Sequence, residues 1–368
     1  MNIYRTQSYT VIPAKAGIHS AAGRTLCVKF WTPAFAGVTE LCTRHGHRLL
    51  PAAALLGLCA LPCIANAAGY PDHPLRLILP FPTGGPTDIV ARAFGQKLGE
   101  ALGQQVVVDN RGGAAGVIAC DIAAHAVPDG YTLLLGVIGT MSVQPNLTPK
   151  LPYQPLRDFA PVSLLSESPY VFALSNTVQA RSVKELVALA KAKPGQLTFA
   201  SGGVGTGNHL SAELFRITAG IDLVHVPYKG ASLAITDVIS GQIQVWFLNL
   251  LPATPYVKAN RIRALAVTSA KRAHSTPDIP TVAESGYPTY ETTSWHGIVV
   301  PVKTPASIVT RLNTELVKVA RQPELRDLLG AQGSEVIGST PEAFTAKIKS
   351  ESAKWAHVIK TANIRAEN

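Results

Sequence analysis

Three glycine-rich segments carry most of the chemistry this sequence offers: Thr83-Gly-Gly-Pro-Thr87, Arg111-Gly-Gly-Ala-Ala-Gly116 and Ser201-Gly-Gly-Val-Gly-Thr-Gly207. Each falls between an apolar, strand-like run and a stretch with helical periodicity. The first turn of a helix presents unpaired backbone N–H groups and about half a positive charge, and glycines let a ligand approach the main chain. Each segment is therefore a candidate anion cradle, with a plain tight turn as the alternative for any one of them. In parallel α/β sheets such loops gather at the carboxyl ends of the strands, where ligands bind. The third has the glycine separation of a phosphate-binding loop, Gly202 to Gly207, but Asn208-His209 stand where that loop needs Lys followed by Ser or Thr. Nucleotide binding is argued against.

Catalytic constellations are sparse. The chain has no H-E-x-x-H, no C-x-x-C and no G-x-S-x-G elbow beyond residue 67, and no ligand cluster for a metal. Ser201 and His209 are conceivable as nucleophile and base, but they lie on opposite sides of a glycine loop with no evident orienting acid. Asp88, following Thr87 at a helix start, has capping as its simplest role.

The elements that must position these loops alternate. The run Leu75–Leu79 precedes helical spacing of Val90, Phe94, Leu98 and Ala101, and the strand Gln105–Asp109 precedes a short helix from about Gly116 and the strand Tyr131–Leu135. The pattern restarts with Val171–Leu174, a helix from Ser182, whose spacing to Glu185 is that of a capping box, and the strand Leu197–Ala200. A helix with Leu210, Leu214 and Ile217 on one face follows, then strands at 223–226, 245–248, 263–267 and 295–300. Thr304-Pro305 and Thr340-Pro341 predict two closing helices, each with a threonine cap and proline at the first position. Alternation of this kind predicts an α/β architecture with largely parallel sheets, and 368 residues suffice for two lobes.

The N-terminal part reads differently. Basic Arg44–Arg48, apolar Leu49–Ala60 and Ala65-Asn66-Ala67 have the order of a secretory signal peptide, 44–67, with Pro51 and Pro62 too close together for a membrane span. Residues 1–43 precede it and read as a spurious extension. Residues 1–67 hold six of the 33 basic and one of the 23 acidic residues, so the formal charge of +10 falls to about +5 without them. No basic run interleaved with aromatics remains, which argues against nucleic acid. Four of the five cysteines go too, leaving Cys120 alone, a buried and inert thiol on its helical pattern.

From Tyr70 onward the chain resembles the tripartite tricarboxylate transporter substrate-binding proteins, the TctC or Bug family of extracytoplasmic receptors. The resemblance rests on Pro74–Pro82, Gly84-Gly-Pro-Thr-Asp88 with Ala91-Arg92, Val106–Arg111, Pro128–Thr132, Leu151-Pro-Tyr153 and Asp158–Val162, and further on His225–Gly230, Arg263–Thr268 and Pro280–Gly286. Departures are Gln144 before Pro145 where the family often has Asn, Ala119 for Gly and Thr83 for a common proline.

The resemblance implies a type II periplasmic binding-protein fold, a Venus flytrap of two lobes joined by two chain crossings near Ser166 and Thr293. Lobe 1 would be 68–167 with 291–368, and lobe 2 168–290. It implies a small carboxylate ligand (a di- or tricarboxylate, amino acid or aromatic acid), no cofactor, a soluble monomeric mature chain in the periplasm, and membrane subunits of a transporter as partner. Carried onto this sequence, the ligand-binding residues would be Phe81, Gly84, Gly85, Asp88, Ala114, Ala115, Gly116 and Thr140 from the first lobe. Ser201, Gly203, Thr206, His209, Tyr228, Lys229 and Asn249 would come from the second. Two readings keep the same cleft: a co-receptor for a sensor kinase, and an enzyme on the same fold.

Overall fold

Alternating strands and helices build two sheets that share one strand. The computed structural model describes residues 69–366; the expected extension 1–43 and signal peptide 44–67 lie outside the described residues. The first series is β1 (Leu75–Leu79), α1 (Pro86–Leu102), β2 (Val106–Asn110), α2 (Val117–Ala124) and β3 (Thr132–Val137), with β1 parallel to both β2 and β3. After β3 come a π-helical turn, Gly139–Val143, then α3 (Gln144–Leu147), α4 (Pro155–Asp158) and the long strand β4 (Phe159–Leu174). The second series is α5 (Val183–Ala192), β5 (Thr198–Ser201), α6 (Gly207–Ala219), β6 (Val224–Pro227), α7 (Ile235–Ser240), β7 (Val245–Asn249), α8 (Leu250–Lys258) and β8 (Arg263–Val267). The chain closes with β9 (Thr293–Pro301), α9 (Ala306–Ala320), α10 (Pro323–Gly330), β10 (Glu335–Val336) and α11 (Pro341–Ala362).

The strand order is β2-β1-β3-β9-β4-β7-β5-β6, with β8 and β10 also paired to β4. From Phe159 to Pro169, β4 runs antiparallel to β9; from Tyr170 to Leu174 it pairs with β7 and β8 in the other sheet. One strand thus belongs to both lobes. The return passes at Thr292, whose N–H donates to the Thr268 carbonyl while Thr268 Oγ1 donates to the Thr292 carbonyl at 2.7 Å. This is the two-lobed α/β binding-protein architecture expected, with two crossings side by side.

Each sheet is covered on both faces, which is why its central strands are mostly apolar, whereas the edge strands β2 and β6 are only partly buried. On the first, Phe94 and Leu98 of α1 pack with Leu312 and Leu316 of α9 on one face, and Cys120, Phe344 and Trp355 fill the other. On the second, Phe172, Phe199, Phe215 and Phe247 lie on one face and Val238, Trp246 and Leu250 on the other. Full burial of one such side chain stabilises by roughly 1.5–3 kcal/mol. Cys120 is fully buried, and that burial pushes its thiol up to about 12, so no thiolate forms near neutral pH.

Local expectations divide on identifiable causes. Ser182 caps α5, its Oγ accepting the Glu185 N–H at 3.1 Å, but Glu185 turns its carboxylate to the Arg181 N–H instead of closing the box. Thr340 caps α11 through the Ala343 N–H, whereas Thr304 does not cap α9: Pro305 is the N-cap and Thr304 Oγ1 has no partner. β4 begins at Phe159, twelve residues before the expected Val171, because Pro161 and Pro169 mask it as a loop; a bulge follows Pro161, and Pro169 stands opposite Thr293 where β4 passes from one sheet to the other. On α6 the buried face is Leu210, Ala212, Phe215 and Ala219, and Ile217 is exposed. Between the two closing helices the chain inserts α10, which sequence periodicity missed.

Candidate functional site

The carboxyl ends of β1, β3, β5 and β7 converge on a cleft between the sheets, which contains a cavity of about 70 Å³. That is room for a handful of water-sized groups. From the first sheet come Phe81, Pro82, Gly85, Pro86 and Thr87 of the β1–α1 loop and Val137, Ile138 and Gly139 at the end of β3. The second contributes Gly202, Thr206, Gly207 and Asn208 before and within α6, Gly230 to Ser232 after β6, and Asn249 at the end of β7. The crossing strands supply Tyr170, Ser294 and His296.

Two helices point their N-termini into this space. Neither the N-cap Gly85 of α1 nor the N-cap Thr206 of α6 closes the first turn with a side-chain bond. The free N–H groups and positive dipole ends therefore face the cavity from opposite sheets.

Two side-chain amides add to them. Asn208 Oδ1 accepts the Gly202 N–H at 3.4 Å and lies 2.7 Å from the Thr206 hydroxyl, for whose one proton it competes with the Gly203 carbonyl, also at 2.7 Å. Asn249 Oδ1 accepts the Leu251 N–H at 3.0 Å and the Ser168 hydroxyl at 2.8 Å. Backbone N–H groups can only donate, so in both amides the oxygen is the partnered atom and the nitrogen the one left over. Both Nδ2 atoms are buried without a partner, on residues 6% and 3% exposed. Unpaired buried donors cost about 1–3 kcal/mol each, and an acceptor in the cavity removes that cost.

No Lys, Arg, Asp or Glu lines the cavity. Burial lowers His296 to about 4, so it is neutral, and burial raises the Tyr170 phenol. The site is an array of neutral donors, apolar elsewhere through Phe81, Pro82, Val137 and Ile138.

Of the residues expected at the site, the cavity brings together Phe81, Gly85, Thr206 and Asn249. A second, open chamber of about 800 Å³ adjoins it at Phe81 and Gly202 and holds Ala114, Ala115, Gly116, Gly203, Tyr228 and Lys229, together with Lys150. The Tyr228 hydroxyl donates to Asp237 at 2.6 Å. Gly84, Asp88, Thr140, Ser201 and His209 line neither space. Burial pushes Asp88 up, yet bonds from Arg92, the Gly84 N–H and Asn110 outweigh it and hold the carboxylate below its usual range, so Asp88 braces the loop. Thr140 bonds back to Val137.

Ser201 and His209 do not pair with each other. Ser201 Oγ lies 2.5 Å from His225 Nε2, and His209 Nδ1 accepts the Gly205 N–H at 3.3 Å with the His225 ring 4.1 Å away. The two rings hold the glycine loop from behind, and no carboxylate orients either of them.

Asn208, Tyr170, Ser294 and His296 were not anticipated. One signal for the last two was legible: Ser294 and His296, two apart in an otherwise apolar strand, must share a face.

The lobes touch around the cavity. Gly230 has φ +140°, and a Cβ there would lie 2.8 Å from Pro82 Cγ of the opposite sheet. Gly230→Val is expected to fold but to hold the lobes apart, weakening ligand affinity at least tenfold, or about 1.4 kcal/mol. Calorimetric titration beside an unfolding curve checks this; unchanged affinity would show that the contact is not needed for capture.

A family model described as "Tripartite tricarboxylate transporter family receptor" matches residues 90–364. The "UPF0065 protein in tcbD-tcbE intergenic region" of Pseudomonas sp. (strain P51) is 38% identical over 291 residues, covering 79% of this chain and 86% of the relative. Protein BugT of Bordetella pertussis is 35% identical, covering 80% and 91%. Among solved structures, periplasmic binding protein BugD superposes with TM-score 0.77 at 33% identity, covering 81% of this chain and all of that one. A Rhodopseudomonas palustris protein with adipate gives TM-score 0.78 at 35% identity (80% and 99% covered). MatC of the same species, with bound malate, gives 0.76 at 30% (79% and 100%). The chain belongs to the tripartite tricarboxylate transporter family receptors, the TctC and Bug group of periplasmic solute-binding proteins, and is a receptor and not an enzyme.

Proposed function

We propose that this chain captures a small carboxylate in the periplasm and hands it to the membrane subunits of a tripartite tricarboxylate-type transporter. The observation that carries the ligand class is the pair of buried, unpartnered amide donors, Asn208 Nδ2 and Asn249 Nδ2, between two uncapped helix N-termini. Donors without acceptors and without a cation suit the oxygens of a carboxylate. Adipate and malate in two relatives of the same architecture support the same class.

In this reading residues 68–167 and 291–368 form one lobe and 168–290 the other, and 44–67 direct secretion. The ligand enters between open lobes, its oxygens replace water on the amides, and closure shifts the population toward the closed form. The outer chamber, with Lys150 and Lys229, accommodates the far end of longer ligands.

A thermal-shift screen of residues 68–368 tests this with citrate, malate, adipate, amino acids, aromatic acids, neutral sugars and nucleotides. One or more carboxylates should raise the unfolding temperature; ligand at about 100 times its Kd adds about 2.7 kcal/mol. Stabilisation by sugars or nucleotides alone would refute the carboxylate reading.

A further inference from the structure

The cavity contains one group able to become a cation, and the mechanism so far leaves it unused. His296 is 2% exposed, on β9 at the floor of the cavity. Its Nδ1 lies 3.5 Å from Ser166 Oγ, at the edge of hydrogen-bonding distance, and its Nε2 has no hydrogen-bond partner among the described residues. We infer that His296 takes up a proton as the anionic ligand binds, becoming the positive charge that the cavity otherwise lacks. The inference rests on the carboxylate reading above and adds the residue and the coupling.

The surroundings supply no rival counter-charge. Across β9, the residues paired with His296 are Val137 of β3 and Ser166 of β4. The polar groups around the cavity, Tyr170, Ser294, Asn208 and Asn249, are all neutral. Charged groups on the packed elements satisfy one another: Glu167, next to Ser166, is bonded to Lys347 of α11 at 2.8 Å, Lys347 also faces Glu351 at 3.6 Å, and Glu213 of α6 pairs with Arg216 at 3.0 Å. Burial alone keeps the empty site's imidazole neutral.

A carboxylate in the same low-dielectric space reverses that balance, because an opposite charge within about 4–6 Å favours the protonated ring. Both states can be satisfied locally. The Ser166 hydroxyl can donate to a bare Nδ1 or rotate to accept from a protonated one. The proton comes from solvent and leaves with the ligand, so capture and release are each linked to one proton.

The experiment is calorimetric titration of the wild-type chain, His296→Gln and His296→Asn with acetate, malate and adipate. Titrations run in buffers of different ionisation enthalpy, between about pH 5.5 and 7.5. Wild type should take up as much as about one proton per ligand, with affinity weakening by up to about tenfold per pH unit on the basic side. Both variants should bind with no proton uptake and a flat profile; glutamine and asparagine keep a donor, so a packing role alone would not erase the proton count. Binding by wild type without proton uptake, or uptake retained in both variants, overturns the inference and leaves the carboxylate reading standing. If none of the three acids binds, the acid picked out by the thermal-shift screen takes their place in the same titrations, and if that screen finds no acid both readings fall.

Discussion

Asn249→Asp should remove carboxylate binding from a receptor that still folds. The substitution is isosteric and keeps the cap of α8: an aspartate Oδ1 accepts the Leu251 N–H and Ser168 hydroxyl as the asparagine oxygen does, at 3.0 and 2.8 Å. What changes is the outward atom. The buried, unpartnered Nδ2, on a residue that lines the cavity, becomes a carboxylate oxygen kept ionised by the helix N-terminus. A second carboxylate then meets repulsion instead of a hydrogen bond. The expected loss is at least 100-fold in affinity, about 2.7 kcal/mol. Titration of any acid found to bind wild type, near pH 7.5, measures it, with unfolding of the free protein as control. Affinity within threefold of wild type would mean that the amide does not touch the ligand. Asn208→Asp makes an independent second case, since its oxygen is likewise held by the Gly202 N–H and Thr206.

The second large effect is acid sensitivity. Burial, with the neighbouring His225 and Arg216, lowers His209 to about 3, and burial lowers His225 and His296 to about 4. These folded values lie below the unfolded value of about 6.5. The unfolded chain therefore binds protons that the folded chain refuses, and stability falls as pH falls. The contribution is fully present above about pH 6.5 and is lost progressively toward pH 4. At pH 5, His209 and His296, each at least nine-tenths buried, should each cost roughly 2 kcal/mol. Denaturant unfolding of the free receptor at pH 7.5 and pH 5 should show a drop of several kcal/mol, and the drop should be smaller in His209→Phe, which keeps a ring beside Phe199 and His225 but gives up the bond from the Gly205 N–H and so starts from a lower stability at pH 7.5. A receptor equally stable at both values would show that these rings are protonated in the fold. Ligand should narrow the drop if His296 gains a proton on binding, since the bound state then accepts one proton that the free state refuses.

Local physics made much of this molecule legible from sequence. The strand at Leu75–Leu79, the cap at Ser182, the Thr340-Pro341 helix start and three glycine loops at strand ends all follow from neighbours within a few residues. So does the two-lobed α/β class, because alternation of apolar strands and amphipathic helices has few packings. Family resemblance was readable for the same reason: its motifs are continuous. Thr304 shows where this fails even locally, since two hydroxyls before prolines look alike until the chain's entry direction is known.

What tertiary structure alone decided is which polar atoms are left unsatisfied. Asp88 and His209 are as polar as Asn208 and Asn249, and both sit at helix starts. Nothing in the sequence says that the carboxylate of Asp88 is consumed by Arg92 and Asn110, or that the ring of His209 is consumed by Gly205. Nor does it say that Ser166 of one crossing strand meets His296 of the other, 130 residues away. A hydrogen bond is a pairwise balance that closes only when every partner is in place. The sequence by itself determined the loops and helix dipoles that make an anion site possible. Only the fold decided which nitrogens stay unpaired, one on each of two amides and one on an imidazole, in residues around a small cavity where the proposed anion site lies.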